Sequence, residues 1–175
     1  MTSDIKMVLF DLDDTLLPTG TLGPLRHSGG TAAAREALRH MEFPAIGHLV
    51  RVVECLAARS HVGIVTSAPR WYVEQLVTQF YRAVPWSVIV TFDDVKRLKP
   101  DPEPLVRAAQ ATDSRGSIVY VGDEMTDLQA ATLAGMSFIG VNWFRPDRGP
   151  TAWCSQPSEL PARLKLMEAA GHVSN

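Results

Sequence analysis

An α/β architecture with a mainly parallel sheet is what this 175-residue sequence predicts. Three observations carry the prediction. Short apolar runs alternate with segments of helical periodicity, as strands do when helices cross back between them. The runs are apolar throughout, as strands covered on both faces are. Asp11, Thr66, Lys99 and Asp123 stand at or just beyond the ends of these runs. Parallel sheets bind their ligands outside the carboxyl ends of their strands, so four polar groups from distant segments are expected in one crevice.

The first strand is Ile5 to Phe10, an apolar run closed by Asp11, Asp13 and Asp14. Residues 18–30 hold four glycines and two prolines, which reads as a loop or flap rather than an element. Thr31 is placed to cap a helix through Arg39, and a second helix runs from Ile46 to Ala58 with an apolar stripe at Ile46, Leu49, Val50, Val53, Leu56 and Ala57. His61 to Thr66 is the second strand, ending in the hydroxyls of Thr66 and Ser67. Pro69 opens a helix carrying Trp71, Val73, Leu76, Val77 and Phe80. Val84 to Phe92 holds the third strand, with Asp93 and Asp94 in a turn. Three prolines at alternate positions, 100, 102 and 104, are expected to hold the next stretch extended before a helix from Glu103 to Ala111. Ser117 to Val121 is the fourth strand, leading through Gly122-Asp123-Glu-Met-Thr-Asp127 into a helix that ends at Leu133, with Gly135 as its stop. Met136 to Val141 is the fifth strand, Thr151 to Cys154 a short sixth, and Leu160 to Ala170 a terminal helix.

Composition narrows the function. Net charge is −2 and no basic stripe marks a dedicated nucleic-acid surface. No Lys/Arg cluster or long apolar run points to a membrane, and the first residues lack the pattern of a signal peptide. Cys55 and Cys154 have no metal-type spacing and read as reduced thiols of a cytoplasmic protein.

The chemistry concentrates at Asp11-Leu-Asp13-Asp14-Thr15. Carboxylates at the end of a buried strand cost free energy unless compensated, and Mg²⁺ suits such hard oxygens. Residues i and i+2 of a strand share a side, so Asp11 and Asp13 converge on one volume. One can act as nucleophile and the other as general acid/base. Taken alone, the short pattern is also compatible with a strand followed by an acidic turn.

Four motifs in order then carry a family resemblance: Asp11-Leu-Asp13-Asp-Thr15, Thr66, Lys99-Pro100, and Gly122-Asp123-Glu-Met-Thr-Asp127. The chain resembles the haloacid dehalogenase superfamily of phosphohydrolases over residues 5–141, and its Lys-Pro-Asp-Pro-Glu-Pro run is similar to the phosphoglycolate-phosphatase-like branch. The resemblance implies a Rossmann-like three-layer sandwich with a sheet of five or six strands and the first strand at its centre. It implies a Mg²⁺-dependent phosphomonoester hydrolase acting through an aspartyl-phosphate. Asp11 would be the nucleophile. Asp13 would be the general acid/base and would ligate Mg²⁺ through its backbone carbonyl. Thr66, with Ser67 as a second hydroxyl, would bind the phosphoryl group. Lys99 would neutralise Asp11 and the phosphoryl group, and Asp123 and Asp127 would ligate the metal. Only about fifty residues separate the first two motifs, too few for a large cap domain, so residues 1–175 read as one hydrolase domain with 18–45 as a loop or small flap. In this superfamily a missing cap goes with open sites, macromolecular substrates or lids borrowed from a partner subunit. The expected partner is thus a phosphorylated substrate, a small ester or a macromolecule, and an oligomer fits the same pattern.

Blander readings stand beside these. Asp127 suits a helix N-terminus. Asp14 reads as a solvated turn residue or cap, Thr15 as securing the turn, Ser67 as a cap of the next helix, Lys96 as a surface rival to Lys99, and Glu124 as non-catalytic. Trp71 and Tyr72 read as packing residues. A lone loop His such as His27 reads mostly as solvated, with substrate contact the alternative for it and for Arg26, and a substrate contact stays open for Trp143 to Arg145 after the last main strand. A receiver-like domain also gathers Asp, a hydroxyl and Lys around Mg²⁺, but has no use for Gly122 to Asp127 downstream of its lysine. A non-catalytic phosphate-binding or interaction module would not need the intact acidic set. A phosphotransferase or mutase would need a cap that excludes water.

Overall fold

The apolar runs pair into one parallel sheet of β1 (Ile5–Phe10), β2 (His61–Val65), β3 (Val88–Val90), β4 (Ser117–Gly122) and β5 (Ser137–Gly140), in the order β3-β2-β1-β4-β5. The structure is a computed structural model and describes residues 5–112, 116–147 and 154–170. Alternation along the strands sends Val8, Phe10, Val62, Ile64, Val119 and Val121 to one face and Met7, Leu9, Val65 and Tyr120 to the other. Both faces are dry, which is why the strands are apolar without a polar period.

Short α1 (Gly23–Arg26) and α2 (Ala32–Arg39) precede α3 (Gly47–Ala57), which with α4 (Arg70–Phe80) packs on the first face. On the second face lie α5 (Glu103–Ala111) and α6 (Met125–Leu133); α7 (Leu160–Ala170) returns to the first. Thr31 caps α2, its hydroxyl oxygen accepting from Ala34 N–H at 3.3 Å. The Gln75 side chain then donates to the Arg35 carbonyl at 2.5 Å and ties α2 to α4.

Connections leave β1 toward β2 on one side and reach β4 on the other, so a switch point opens between β1 and β4. Register levels the strand ends there. Phe10 is opposite both Ile64 and Val121. One residue on, Asp11 is level with Val65 and Gly122, and Thr66 and Asp123 follow directly.

The structure corrects several local expectations. Residues 18–30 contain a 3-10 turn, Gly20–Leu22, and α1, in which Pro24 sits at a first-turn position that needs no N–H. Within the Val84 to Phe92 stretch β3 takes only three residues, because Val84 N–H closes a turn onto the Tyr81 carbonyl and Pro85 has no N–H to pair. Phe92–Asp94 winds into a 3-10 turn capped reciprocally by Thr91 and Asp94. The Lys96–Pro104 stretch is folded back, not extended. The Glu103 carboxylate accepts from both Lys96 and Arg97 N–H, and Asp101 N–H donates to Leu98. Thr151 to Trp153 of the expected sixth strand lie outside the described residues; Cys154 makes an isolated parallel bridge to Val141. Both cysteines are free thiols. Among the described residues no helix is long and apolar enough to cross a membrane.

Candidate active site

Just past β1 the chain winds tightly, with Leu16 and Leu17 N–H both donating to the Leu12 carbonyl. Asp14 takes a left-handed conformation, φ 57°, at the turn. An asparagine or aspartate tolerates that region better than most residues. The result is a cluster of side chains turned into the crevice from Asp11, Asp13 and Asp14.

Lys99 spans the crevice from the segment after β3. Its Nζ lies 2.7 Å from Asp11 Oδ1, 2.6 Å from Asp127 Oδ1 and 2.8 Å from the Tyr120 hydroxyl. The lysine side chain is 6% exposed. Burial works against its ammonium, but Asp11 and Asp127 outweigh that and hold it well above the ordinary lysine value. Lys96, its rival in sequence, is exposed. Asp127 stands in the first turn of α6, its other oxygen accepting from Glu124 N–H at 3.1 Å. Asp127 thus sits at the helix N-terminus, as its plainer reading has it, and pairs with Lys99 as well.

Asp11, Asp123 and Asp127 are buried, and each presents a carboxylate oxygen within 4.8 Å of the others. Burial is the main influence on Asp11; against the pull of Lys99 it holds the carboxyl well above the ordinary range, and Asp127, Asp13 and Asp123 push the same way. Burial, then Asp127, pushes Asp123 up to about 7. Three buried acids thus face one ammonium, and the surplus negative charge with converging hard oxygens fits a small divalent cation. The Asp13 carboxylate is not in this cluster. It is engaged by Arg26, Thr19 and Tyr72.

A pocket of about 210 Å³ opens over these groups and is walled by Thr66, Ser67, Thr126, Gly20, Arg26 and Arg145. Ser67 does not cap α4, whose N-cap is Pro69. Asp14, expected to be a solvated turn residue or cap, is buried. It accepts from Gly20 N–H at 3.0 Å and pairs with Arg145 at 3.0 Å, which bolts the loop after β1 to the segment after β5. Trp143 Nε1–H donates to the Thr15 carbonyl at 2.8 Å, and Thr15 Oγ1 donates to Asp123 Oδ1 at 3.1 Å. His27 is exposed.

Two tyrosines were missed as site residues. Tyr120 reads as one more apolar position of β4, yet its hydroxyl lies 2.9 Å from the Val65 carbonyl and 3.1 Å from Asp127 Oδ1, beneath Lys99. Tyr72 reads as packing and also reaches Asp13 at 3.1 Å. A strand or helix position shows which face a residue takes, not what its hydroxyl meets across the fold.

Gly122 admits Asp127: a Cβ there would lie 2.5 Å from Asp127 Oδ2. Gly122→Ala is expected to lower unfolding free energy by about 1–3 kcal/mol, read by denaturant titration. An unchanged midpoint would mean that the helix shifts freely.

The family model described as "Haloacid dehalogenase-like hydrolase" matches residues 31–141. The chain is 31% identical over 94 residues to N-acetylmuramic acid 6-phosphate phosphatase of Pseudomonas putida, covering 52% of this chain and 42% of that protein. It is 32% identical over 98 residues to phosphoglycolate phosphatase of Escherichia coli K12, covering 55% and 39% respectively. The chain thus spans about two fifths of the length of these curated relatives. In fold it is similar to a HAD-superfamily hydrolase, subfamily IA, variant 1, of Geobacter sulfurreducens (TM-score 0.70, 16% identity, 91% of this chain and 99% of that one). It is also similar to a HAD phosphatase of Thermococcus onnurineus (TM-score 0.65, 23% identity, 91% and 98%).

Proposed function

The chain belongs to the haloacid dehalogenase-like hydrolases, and from that premise we propose that it is a Mg²⁺-dependent phosphomonoester hydrolase working through an aspartyl-phosphate. One observation carries the reading: Lys99 bridges Asp11 and Asp127 on the floor of a pocket whose wall bears Thr66 and Ser67. A carboxylate cannot approach a phosphoryl dianion unless cations offset the charge of both, and the site gathers the groups for that at the end of β1.

In the proposed reaction Asp11 attacks phosphorus while the bond from phosphorus to the alcohol oxygen breaks. Asp13 gives its proton to that departing oxygen, and the phosphoryl group is left on Asp11. Water then attacks phosphorus and yields a proton to Asp13. The bond to Asp11 breaks, phosphate leaves, and both carboxyl groups are restored. Thr66 and Ser67 hydrogen-bond the phosphoryl oxygens, and Lys99 holds Asp11 in place and offsets the charge of the transferring group. A bound Mg²⁺, held by Asp11, Asp123, Asp127 and the Asp13 carbonyl, supplies further neutralisation of the phosphoryl oxygens.

The pocket of about 210 Å³ takes a phosphoryl group and the first atoms of its ester. The rest of the substrate, a small ester or a macromolecule, lies outside it. On this reading residues 18–45 are a small flap on one hydrolase domain, supported by Gly20 and Arg26 in the pocket wall. Free thiols at Cys55 and Cys154 support a reducing, cytoplasmic setting.

Phosphate release from a panel of phosphate esters, with and without Mg²⁺, tests the proposal. Mg²⁺-dependent release is expected; a folded protein that releases phosphate from no small or macromolecular ester would overturn it. Within that assay Lys99→Ala is expected to cost about 10²–10³-fold in kcat, and Lys96→Ala less than about twofold. The reverse order would assign the role to the wrong lysine.

A further inference from the structure

Tyr72 is fully buried on α4, and its ring meets Trp71 edge-on with centroids 5.8 Å apart. That much is packing. Its hydroxyl does something else: it crosses to the loop after β1 and lies 3.1 Å from Asp13 Oδ1. Thr19 Oγ1 donates to the same oxygen at 2.5 Å. The second oxygen, Asp13 Oδ2, is paired instead with Arg26 at 2.6 Å.

The two oxygens of Asp13 therefore keep different company. Oδ1 is bonded by two buried hydroxyls, Thr19 being 2% exposed and Tyr72 0%. Oδ2 meets a partly exposed guanidinium on the pocket wall. A hydroxyl both donates and accepts, whereas a guanidinium only donates. Tyr72 and Thr19, both buried, hold Oδ1 in place from within the fold. Arg26, on the pocket wall, is the sole partner of Oδ2 among the described residues. The two sides thus divide into an anchored oxygen and an exchangeable one.

We infer that Tyr72 is a positioning residue for the reaction, anchoring Asp13 Oδ1 so that Oδ2 is the oxygen presented to the leaving group. The inference rests on the reading of Asp13 as general acid. Its sequence position gives no hint of this, because Tyr72 lies 59 residues from Asp13. The role is distinct from packing, since removing the hydroxyl leaves the ring and its contacts in place.

Leaving-group dependence separates the two roles. A p-nitrophenolate departs without a proton, whereas an alkyl alkoxide needs one, so a misplaced acid penalises alkyl esters more. kcat/KM reports the transfer step for each substrate. Tyr72→Phe is expected to lower kcat/KM about 10-fold for an alkyl phosphate and about twofold for p-nitrophenyl phosphate, with a thermal midpoint within a few degrees of wild type. Asp13→Asn, assayed beside it, is expected to show the same selectivity at larger size. Equal losses on both substrates in Tyr72→Phe, or no loss, with Asp13→Asn selective, overturn the positioning role alone. Equal losses in Asp13→Asn remove the general-acid reading and this inference with it. A wild-type protein that cleaves neither these esters nor any other small or macromolecular phosphate ester overturns the hydrolase reading itself.

Discussion

Asp11→Asn is expected to lower kcat/KM for phosphate release by about 10⁴-fold or more, on the scale of removing a catalytic nucleophile, while the protein stays folded. The amide keeps the shape of the carboxylate and an oxygen for Lys99, but it does not attack phosphorus. Stability should change little, because two effects of opposite sign meet at the site. Burial and the acids around Asp11 hold its carboxyl above the ordinary range. A raised carboxyl pKa means that the ionised form disfavours the folded, metal-free protein near neutral pH. The neutral amide removes that term but also takes away one of the two carboxylates that hold the buried Lys99 ammonium, so the effects offset and the thermal midpoint in chelator is expected to stay within a few degrees of wild type. Turnover at the wild-type rate by this variant would end the nucleophile assignment.

Chelation is expected to have the second largest effect. Removing the divalent cation leaves three buried carboxylates against one lysine, and the phosphoryl dianion then meets a negative site. Activity should fall about 10³-fold or more in EDTA and return with Mg²⁺. Binding to the folded form alone also stabilises it, by about 2.7 kcal/mol at a concentration of 100 Kd. Mg²⁺ should therefore raise the thermal midpoint of wild type, and the rise should vanish in Asp123→Ala. Full activity in chelator, or a midpoint indifferent to Mg²⁺, would sink the metal assignment.

The strand and helix order was legible in the sequence because each element repeats a local pattern. The apolar runs of β1, β2 and β4 needed no polar alternation to be read, since both sheet faces are covered. The boundaries were less legible. β3 shrank to three residues because Pro85 and the Tyr81–Val84 turn act against an apolar run that looks continuous. The stretch after it folded back because one carboxylate near its own end, Glu103, gathers two backbone N–H groups. Neither effect has a period.

By itself the sequence determined the acidic and basic set and the strand ends on which it stands. Strand ends mark Asp11, Thr66, Lys99 and Asp123 in the sequence, Asp13 shares a strand side with Asp11, and Asp127 comes with the family resemblance; the parallel register brings the segments of Asp11, Thr66 and Asp123 level. Only the tertiary structure decided how the set is held: the arginines that pair with Asp13 and Asp14, Trp143 on the Thr15 carbonyl, Tyr120 beneath Lys99 and Tyr72 on Asp13. The reason is physical. A catalytic carboxylate is marked by local chemistry that any strand end displays in sequence, whereas the partners that orient it come from wherever the packed core happens to deliver a donor.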